Sequence, residues 1–577
     1  MKTRWLGFVL VLTVPVWAET NLISNGVTVL KQKRLEELMS LEVATVTTAS
    51  KKPEKATDAP ATVLVIDHNE IELRGYSNLK DVFRDLPGME TSEMYFSEFG
   101  TQVPVRGISG NNKIIVLVDG MRVNPPGGEG FPFRSDFNVR HADHIEVIYG
   151  PGSTLYGQDA ISMVVNVVTK PAGEDLHLQL GADGGMNFEH EAWGEFGGML
   201  DKDRQIKLTG AIQYHDSELM RIDEEYPRYW RDYEAVANTK TNAGTKGTVP
   251  SREDFGVNAF ARVEGYNSSV QVWYRQSERS SSEGFNPILG YLPEARWGDS
   301  SVVVEGKNTL PFSDNVKLDS AVTYNRYEID PHSRYVFPAN SGEWYLNDYK
   351  YGIGWSLGGE ETLHVEFNEK LTLLIGGTAA YYDIVPKATF PGGVDLERSL
   401  TGQGGHFIYT DATGATNSIA QVSEVTYWTY AGYVELGWRI LDHVKIIGGT
   451  RVTKDTRFND IPVTPRAAVI YDVTEALTAK YIYTRAYVAP APYFAFATFD
   501  NGSRLATANP DLNPEKAETH EVNLSYNVKN LSVGASGYYG TQNDIITVAD
   551  RGAPQNIVEY PVYLNGDTNQ VRTLVRT

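Results

Sequence analysis

The 577-residue chain has no cysteine, which excludes disulfides, thiolate metal sites and thiol catalysis. It also lacks a membrane-spanning apolar run, since no stretch reaches the ~18 consecutive apolar residues of a transmembrane helix. Mean hydropathy of −0.32 points the same way. A β-barrel stays open, because only one face of each of its strands meets lipid. Basic residues are in deficit, 52 against 73 acidic ones, for a formal charge of −21. Binding to nucleic acid draws on clustered Lys and Arg, so nucleic acid is not an expected partner. Catalytic patterning is missing too. His141 and His144 are three apart but precede a strand, and the run 150–153 lacks the Lys-Ser/Thr ending and following helix of a phosphate loop. No enzyme activity, metal or cofactor is expected.

What is present begins with a processing signal. Lys2 and Arg4 precede an apolar run from Trp5 to Val16, and cleavage after Ala18 fits the small residue there. Residues 1–18 are therefore expected to be an export leader. Residues 19–60 read as a tether, with a short helix expected over 31–40. Within it, Glu42, Val43, Ala44, Thr45, Val46, Thr47 and Thr48 form a β-branched run that could add to a partner's sheet edge or simply link domains.

From residue 61 the pattern becomes compact. ATVLVI reads as a strand. Asp67 with Glu70 reads as a helix start and Gly75 as its stop, and Ser77 as the cap of a second helix ending at Pro87-Gly88. VPVRGI (103–108) and KIIVLVDG (113–120) read as strands. Residues 121–133 are a Gly- and Pro-rich loop. HIEVIYGPGSTLYGQDAISMVVNVVTK (144–170) reads as strand, glycine turns and strand, with Ile145, Val147 and Tyr149 alternating. Residues 61–170 thus form a small α+β domain.

Beyond Leu176 the period is two almost throughout. Examples are Leu176, Leu178 and Leu180, and Trp428, Tyr430, Val434, Leu436 and Trp438. Short turns such as Leu441-Asp442 alternate with long polar loops at 216–250, 280–299 and 385–423. With 33 Tyr and 10 Trp available for interfacial girdles, this reads as an outer-membrane barrel of roughly 15 strands. The expected fold class is mainly β: an incomplete transmembrane antiparallel barrel at 171–577, with the α+β domain inside its lumen.

These motifs resemble the TonB-dependent outer-membrane receptor family, over nearly the whole chain. The resemblance rests on Arg106-Gly107, Asp119-Gly120 and Asn124, then on Ile145, Glu146, Gly150, Pro151, Ser153, Tyr156 and Gly157. Asn166, Thr169 and Lys170 follow, and Asn509, Pro510, Leu512, Pro514 and Glu515 match late in the barrel. It implies that 61–170 is a plug and that 42–48 is a TonB box pairing with a TonB-type energy transducer of the inner membrane.

Three departures accompany it. Tyr149 stands where the family often has an Arg, leaving Arg106 as the candidate plug–barrel latch, with Glu435 or Glu521 as possible partners. Met163 stands where Gly is usual. The barrel strands fall short of ~22, so a truncated sequence is expected. The resemblance implies TonB-dependent import of a scarce ligand by a monomer in outer-membrane lipid. A small iron chelate, a ferric siderophore, is the leading cargo, and cobalamin, haem or another nutrient are alternatives. Tyr95, Phe96, Phe131, Phe133 and Arg134 are expected either to contact the ligand or to pack against the barrel wall. A passive porin and a phage or colicin receptor are the rival readings. A signalling receptor would need a folded domain before residue 42.

Overall fold

The computed structural model describes residues 3–13, 45–93, 100–185, 189–217, 227–228, 254–281, 295–338, 345–390, 406–410, 416–420, 424–497, 499–500, 504–507, 509–528, 531–546, 557–563 and 571–576. The expected helix at 31–40 lies outside them.

The small domain is built on a five-stranded sheet of β1 (Thr62–Asp67), β2 (Ile114–Val118), β3 (Met121–Arg122), β4 (Ala142–Tyr149) and β5 (Met163–Thr169), in the order β1-β4-β5-β2-β3. α1 (His68–Arg74) starts at Asp67, whose carboxylate accepts from the Glu70 amide at 2.8 Å, and stops at Gly75 with φ 68°. α2 (Leu79–Asp85) is capped by Asn78, one residue later than expected. Asp81 accepts from the Ser77 amide and hydroxyl, which ties Ser77 in from outside the helix.

VPVRGI is a turn and not a strand. Arg106 has φ 52° and Gly107 φ 80°, and a residue in the left-handed region breaks an extended run. Ser153–Tyr156 is one helical turn where none was expected.

Both faces of this sheet are buried. Ile145, Val147, Val165 and Val116 pack with Leu79, Val82 and Phe83 of α2. On the other face Ile115, Leu117, Ile148 and Val164 pack under Val46, Ala49 and Ala59 of the tether and Ala61 just after it. β4 was expected to be half-buried. It is covered on both sides because the tether folds back over it. Completely burying Val46 is worth roughly 1.5–3 kcal/mol.

Around this domain runs a meander of fifteen antiparallel strands, from His177–Gly184 to Leu531–Asn543, with the short strand Arg334–Pro338 added beside Tyr345–Asn368. Its alternation is the expected one. On Val425–Leu441, Trp428, Tyr430, Val434, Leu436 and Trp438 face outward, while Tyr427, Tyr433 and Glu435 are buried inside. Ring contacts run across adjacent strands from Tyr324 to Trp355, Tyr381 and Trp428, an outer aromatic girdle.

Two segments depart from the expected division. Thr3–Thr13, inside the expected leader, is a strand in register with the last barrel strand, from Thr3 opposite Gln542 to Thr13 opposite Ser532. A sheet edge presents unpaired amides and carbonyls, and an apolar extended segment satisfies them. Ile557–Tyr563 and Val571–Arg576 do not extend the meander. They join an outlying sheet with loop strands such as His406–Thr410 and Arg504–Thr507.

Candidate functional site

The tether enters the ring at Thr45–Val46, which pairs with Glu54–Lys55 as a two-residue hairpin. Glu42, Val43 and Ala44 lie outside the described residues. Immediately after Val46 the chain meets Glu146, whose side chain is wholly buried on β4. Oε1 accepts from the Thr47 amide at 2.9 Å and from its hydroxyl at 3.2 Å, and Oε2 from the Thr48 amide at 2.8 Å. The Tyr156 hydroxyl donates to the Thr48 carbonyl at 2.7 Å. Asn166 Nδ2 donates to the Thr48 hydroxyl at 3.0 Å, and its Oδ1 accepts from the Gly120 amide.

Burial pushes the Glu146 carboxyl up, but hydrogen bonds from His144, Thr48 and Thr47 prevail and hold it below the usual range. His144 Nε2 lies 3.3 Å from Glu146 Oε1, and hydrogen bonding to that carboxylate raises its pKa against the opposing effect of burial.

From Ala49 onward the tether is held by the barrel wall instead. Arg466 donates to the Ala49 carbonyl, Lys51 pairs with Glu360, Glu54 with Lys445 and Asp58 with Arg439. Lys480 donates to the carbonyls of Ala56 and Ala59. Burial lowers the Lys51 pKa, against the attraction of Glu360.

Arg106 reaches the barrel through Glu521, with Nη1 and Nη2 each 2.9 Å from a carboxylate oxygen. Its guanidinium also lies over the rings of Tyr149 and Tyr538, at 4.9 and 4.5 Å. Tyr149, where an Arg was looked for, therefore flanks this contact. Glu435, the other expected partner, pairs with Arg466.

The remaining motif residues shape the domain. Asp119 accepts from the Thr169 amide and hydroxyl and pairs with Arg262 of the barrel at 2.8 Å. Asn124 bridges β2, accepting from the Val116 amide and donating to the Ile114 carbonyl, both at 2.8 Å. Gly150 and Gly157 have positive φ, and Pro151 sits between them in the turn.

The proposed ligand contacts are not brought together at an open surface. Phe131, Phe133 and Arg134 are buried, the two rings in the plug core and Arg134 paired with Asp299 at 2.8 Å. A buried aromatic packed on Phe83 has no face free for a ligand in this conformation. Tyr95 and Phe96 lie outside the described residues.

Sequence reading missed the buried network beneath them. Asp299 also accepts from Arg275 at 2.7 Å, and Arg275 pairs with Asp136. Lys113–Glu515, at 2.8 Å, was missed as well. The inward alternation of Arg275 on its strand was the one signal available, since Asp299 falls at the end of the 280–299 stretch read as loop. Among the described residues, no group of three or more His, Cys, Asp or Glu could hold a metal ion.

The comparisons agree with this geometry. Residues 226–573 match the family model described as TonB dependent receptor-like, beta-barrel, and 55–164 match the TonB-dependent receptor plug domain. The vitamin B12 transporter BtuB of Vibrio vulnificus is 24% identical over 508 residues, covering 87% of this chain and 70% of that protein. The fold is shared with the siderophore receptor PirA of Acinetobacter baumannii (TM-score 0.64, 15% identity, 89% of this chain and 75% of that one). It is shared also with the pyoverdine receptor FpvA of Pseudomonas aeruginosa (TM-score 0.65, 13% identity, 89% and 74%). With its plug sheet seated in a barrel and both parts matched in order, the chain belongs to the TonB-dependent receptors, a family of outer-membrane transporters and receptors.

Proposed function

We propose that this receptor sits in the outer membrane as a monomer and imports a scarce ligand, a ferric siderophore. Residues 1–18 act as the export leader of the precursor, in which Thr3–Thr13 also pairs with the last barrel strand. Segment 42–48 is the box that a TonB-type transducer of the inner membrane grasps by strand addition. The observation that carries this reading is the docking of Val46–Thr48 onto the plug sheet, inside the barrel. A passive pore has no use for a buried plug joined to the strand that precedes it. Pulling that strand delivers force to the part that blocks the channel.

The names of the relatives support two cargoes. PirA is named as a siderophore receptor, FpvA as a pyoverdine receptor and BtuB as a vitamin B12 transporter. Siderophore is the leading reading and cobalamin the second, favoured by the 24% identity to BtuB.

The test is uptake of iron-loaded siderophores and of cobalamin by cells whose other receptors are deleted. Removal of 42–48 should abolish uptake and leave ligand binding at the cell surface intact. Uptake that survives the deletion would overturn transducer-driven import. Uptake of cobalamin alone would replace the siderophore.

A further inference from the structure

The motif residues Glu146, Tyr156 and Asn166 lie on different parts of the plug, on β4, in the helical turn and on β5, yet all three end on Thr47 and Thr48. Apart from the Gly120 amide, which Asn166 also holds, the backbone groups that these side chains engage belong to the two residues that close the 42–48 segment. Glu146 engages both amides and the Thr47 hydroxyl with one carboxylate. Such charge-assisted bonds in a buried site are stronger than neutral ones.

These contacts cover a whole sheet face. Val46 packs with Ile115, Leu117, Ile148 and Val164, on the same side of the plug sheet from which Glu146 and Asn166 project. The alternative anchors come later in the chain, where residues 49–58 bond to barrel side chains instead. A pull from the N-terminal side therefore meets first the short pairing of Thr45–Val46 with Glu54–Lys55, then the plug contacts of Thr47 and Thr48, and only after these the barrel contacts of 49–58. It arrives on β4, which lies inside the sheet between β1 and β5, and not on the edge strand β3.

We infer that Glu146 is a clamp that keeps the end of the coupling segment folded onto the plug, so that the segment reaches a transducer only when this clamp opens. Tyr156 and Asn166 are its accessory contacts. The inference rests on reading 42–48 as the coupling segment. It adds which side chain restrains that segment and where force enters the plug. In the clamped state the backbone amides of Thr47 and Thr48 are occupied and cannot pair with an added strand. A population that is mostly clamped binds a partner with an affinity reduced by the unclamped fraction.

The test uses the full chain in detergent, as wild type, Glu146→Ala and Tyr156→Phe. Tyr156→Phe removes one bond to Thr48 without disturbing β4, and so guards against a Glu146→Ala protein whose plug fails to fold. Two quantities are read: hydrogen exchange at the amides of 45–48, and affinity for a recombinant periplasmic domain of a TonB-type transducer. Expected are exchange faster by about tenfold or more in Glu146→Ala and by a smaller factor in Tyr156→Phe, with β5 amides still protected. Affinity for the transducer domain should tighten in the same order. Unchanged exchange at 47 and 48 in both variants would overturn the clamp. Faster exchange with no transducer binding by any of the three proteins would uphold the clamp and overturn the coupling role of 42–48.

Discussion

Arg106 and Glu521 form a two-pronged ion pair between plug and barrel, both side chains nearly inaccessible to solvent. Thr62 of β1 donates to the same carboxylate, so the first plug strand and the turn at 106 are fastened at one barrel position. Breaking one side of a buried pair leaves the other charge without its partner, which costs about 3–5 kcal/mol. Glu521→Ala should therefore lower the unfolding temperature in detergent markedly. Arg106→Ala with Glu521→Ala together should cost less than the sum of the two. A strictly additive double variant would show that the pair is not coupled.

The network of Arg134, Asp299, Arg275 and Asp136 gives a contrasting prediction. Asp299 serves two guanidiniums and also accepts from the Trp297 indole at 3.0 Å. Asp299→Ala removes the carboxylate that the two buried guanidiniums share and leaves Arg275 on Asp136. It should destabilise by about 3 kcal/mol or more. Arg134→Met removes one of those cations and fills the space with apolar volume, so it should cost less. Calorimetry of the two variants checks the order, and the reverse order would contradict the network.

These two clusters mark where sequence reading reached and where it stopped. The alternation of Trp428 through Trp438 was legible because burial on one side of a strand writes a period of two. The Asp67 cap was legible because its partner, Glu70, is three residues away. Arg106 was recognisable as a latch through the family motif, and inward alternation narrowed its partner to Glu435 or Glu521. The clamp on Thr47 was not legible, since Glu146 lies 99 residues on and no local pattern joins them. The burial of Phe131, Phe133 and Arg134 was not legible, because a Gly- and Pro-rich loop with aromatics fits a ligand-facing surface and packing against the barrel wall equally well. Here it folds inward, and the barrel supplies Asp299, at the end of a stretch expected to be loop.

Two glycines separate backbone strain from steric contact. Gly75 has φ 68° and nothing within 4 Å of where a Cβ would stand, so Gly75→Ala should cost about 1–2 kcal/mol from the backbone alone. Gly157 has φ 74°, and a Cβ there would lie 3.3 Å from Arg451 Nη2. Arg451 also donates to Thr378 at 2.9 Å, so it cannot withdraw freely. Gly157→Ala should therefore be the more destabilising of the two, and thermal melts of both variants decide it.

Acidity supplies a separate handle on the clamp. The Glu146 carboxyl is held below its ordinary value by His144 and the two threonines, in spite of burial. A group depressed in the folded state contributes stability that is complete above its unfolded value, about 4.3, and is lost as pH falls through the folded value. His144 has the opposite sign. Its pKa is raised by Glu146 on β4 and by its neighbour Asp143, and Asp67 of β1 faces it across the sheet. Its contribution is complete below about 6.5 and lost as pH rises through the raised value. Amide exchange at Thr47 and Thr48, corrected for its intrinsic pH dependence, should thus be slowest from mildly acidic to near-neutral pH. It should rise steeply as pH falls through the lowered Glu146 value and more gently as pH rises through the raised His144 value. His144→Ala should remove the alkaline rise and keep the acid one. An acid rise that persists unchanged in Glu146→Gln would assign the titration to another carboxylate.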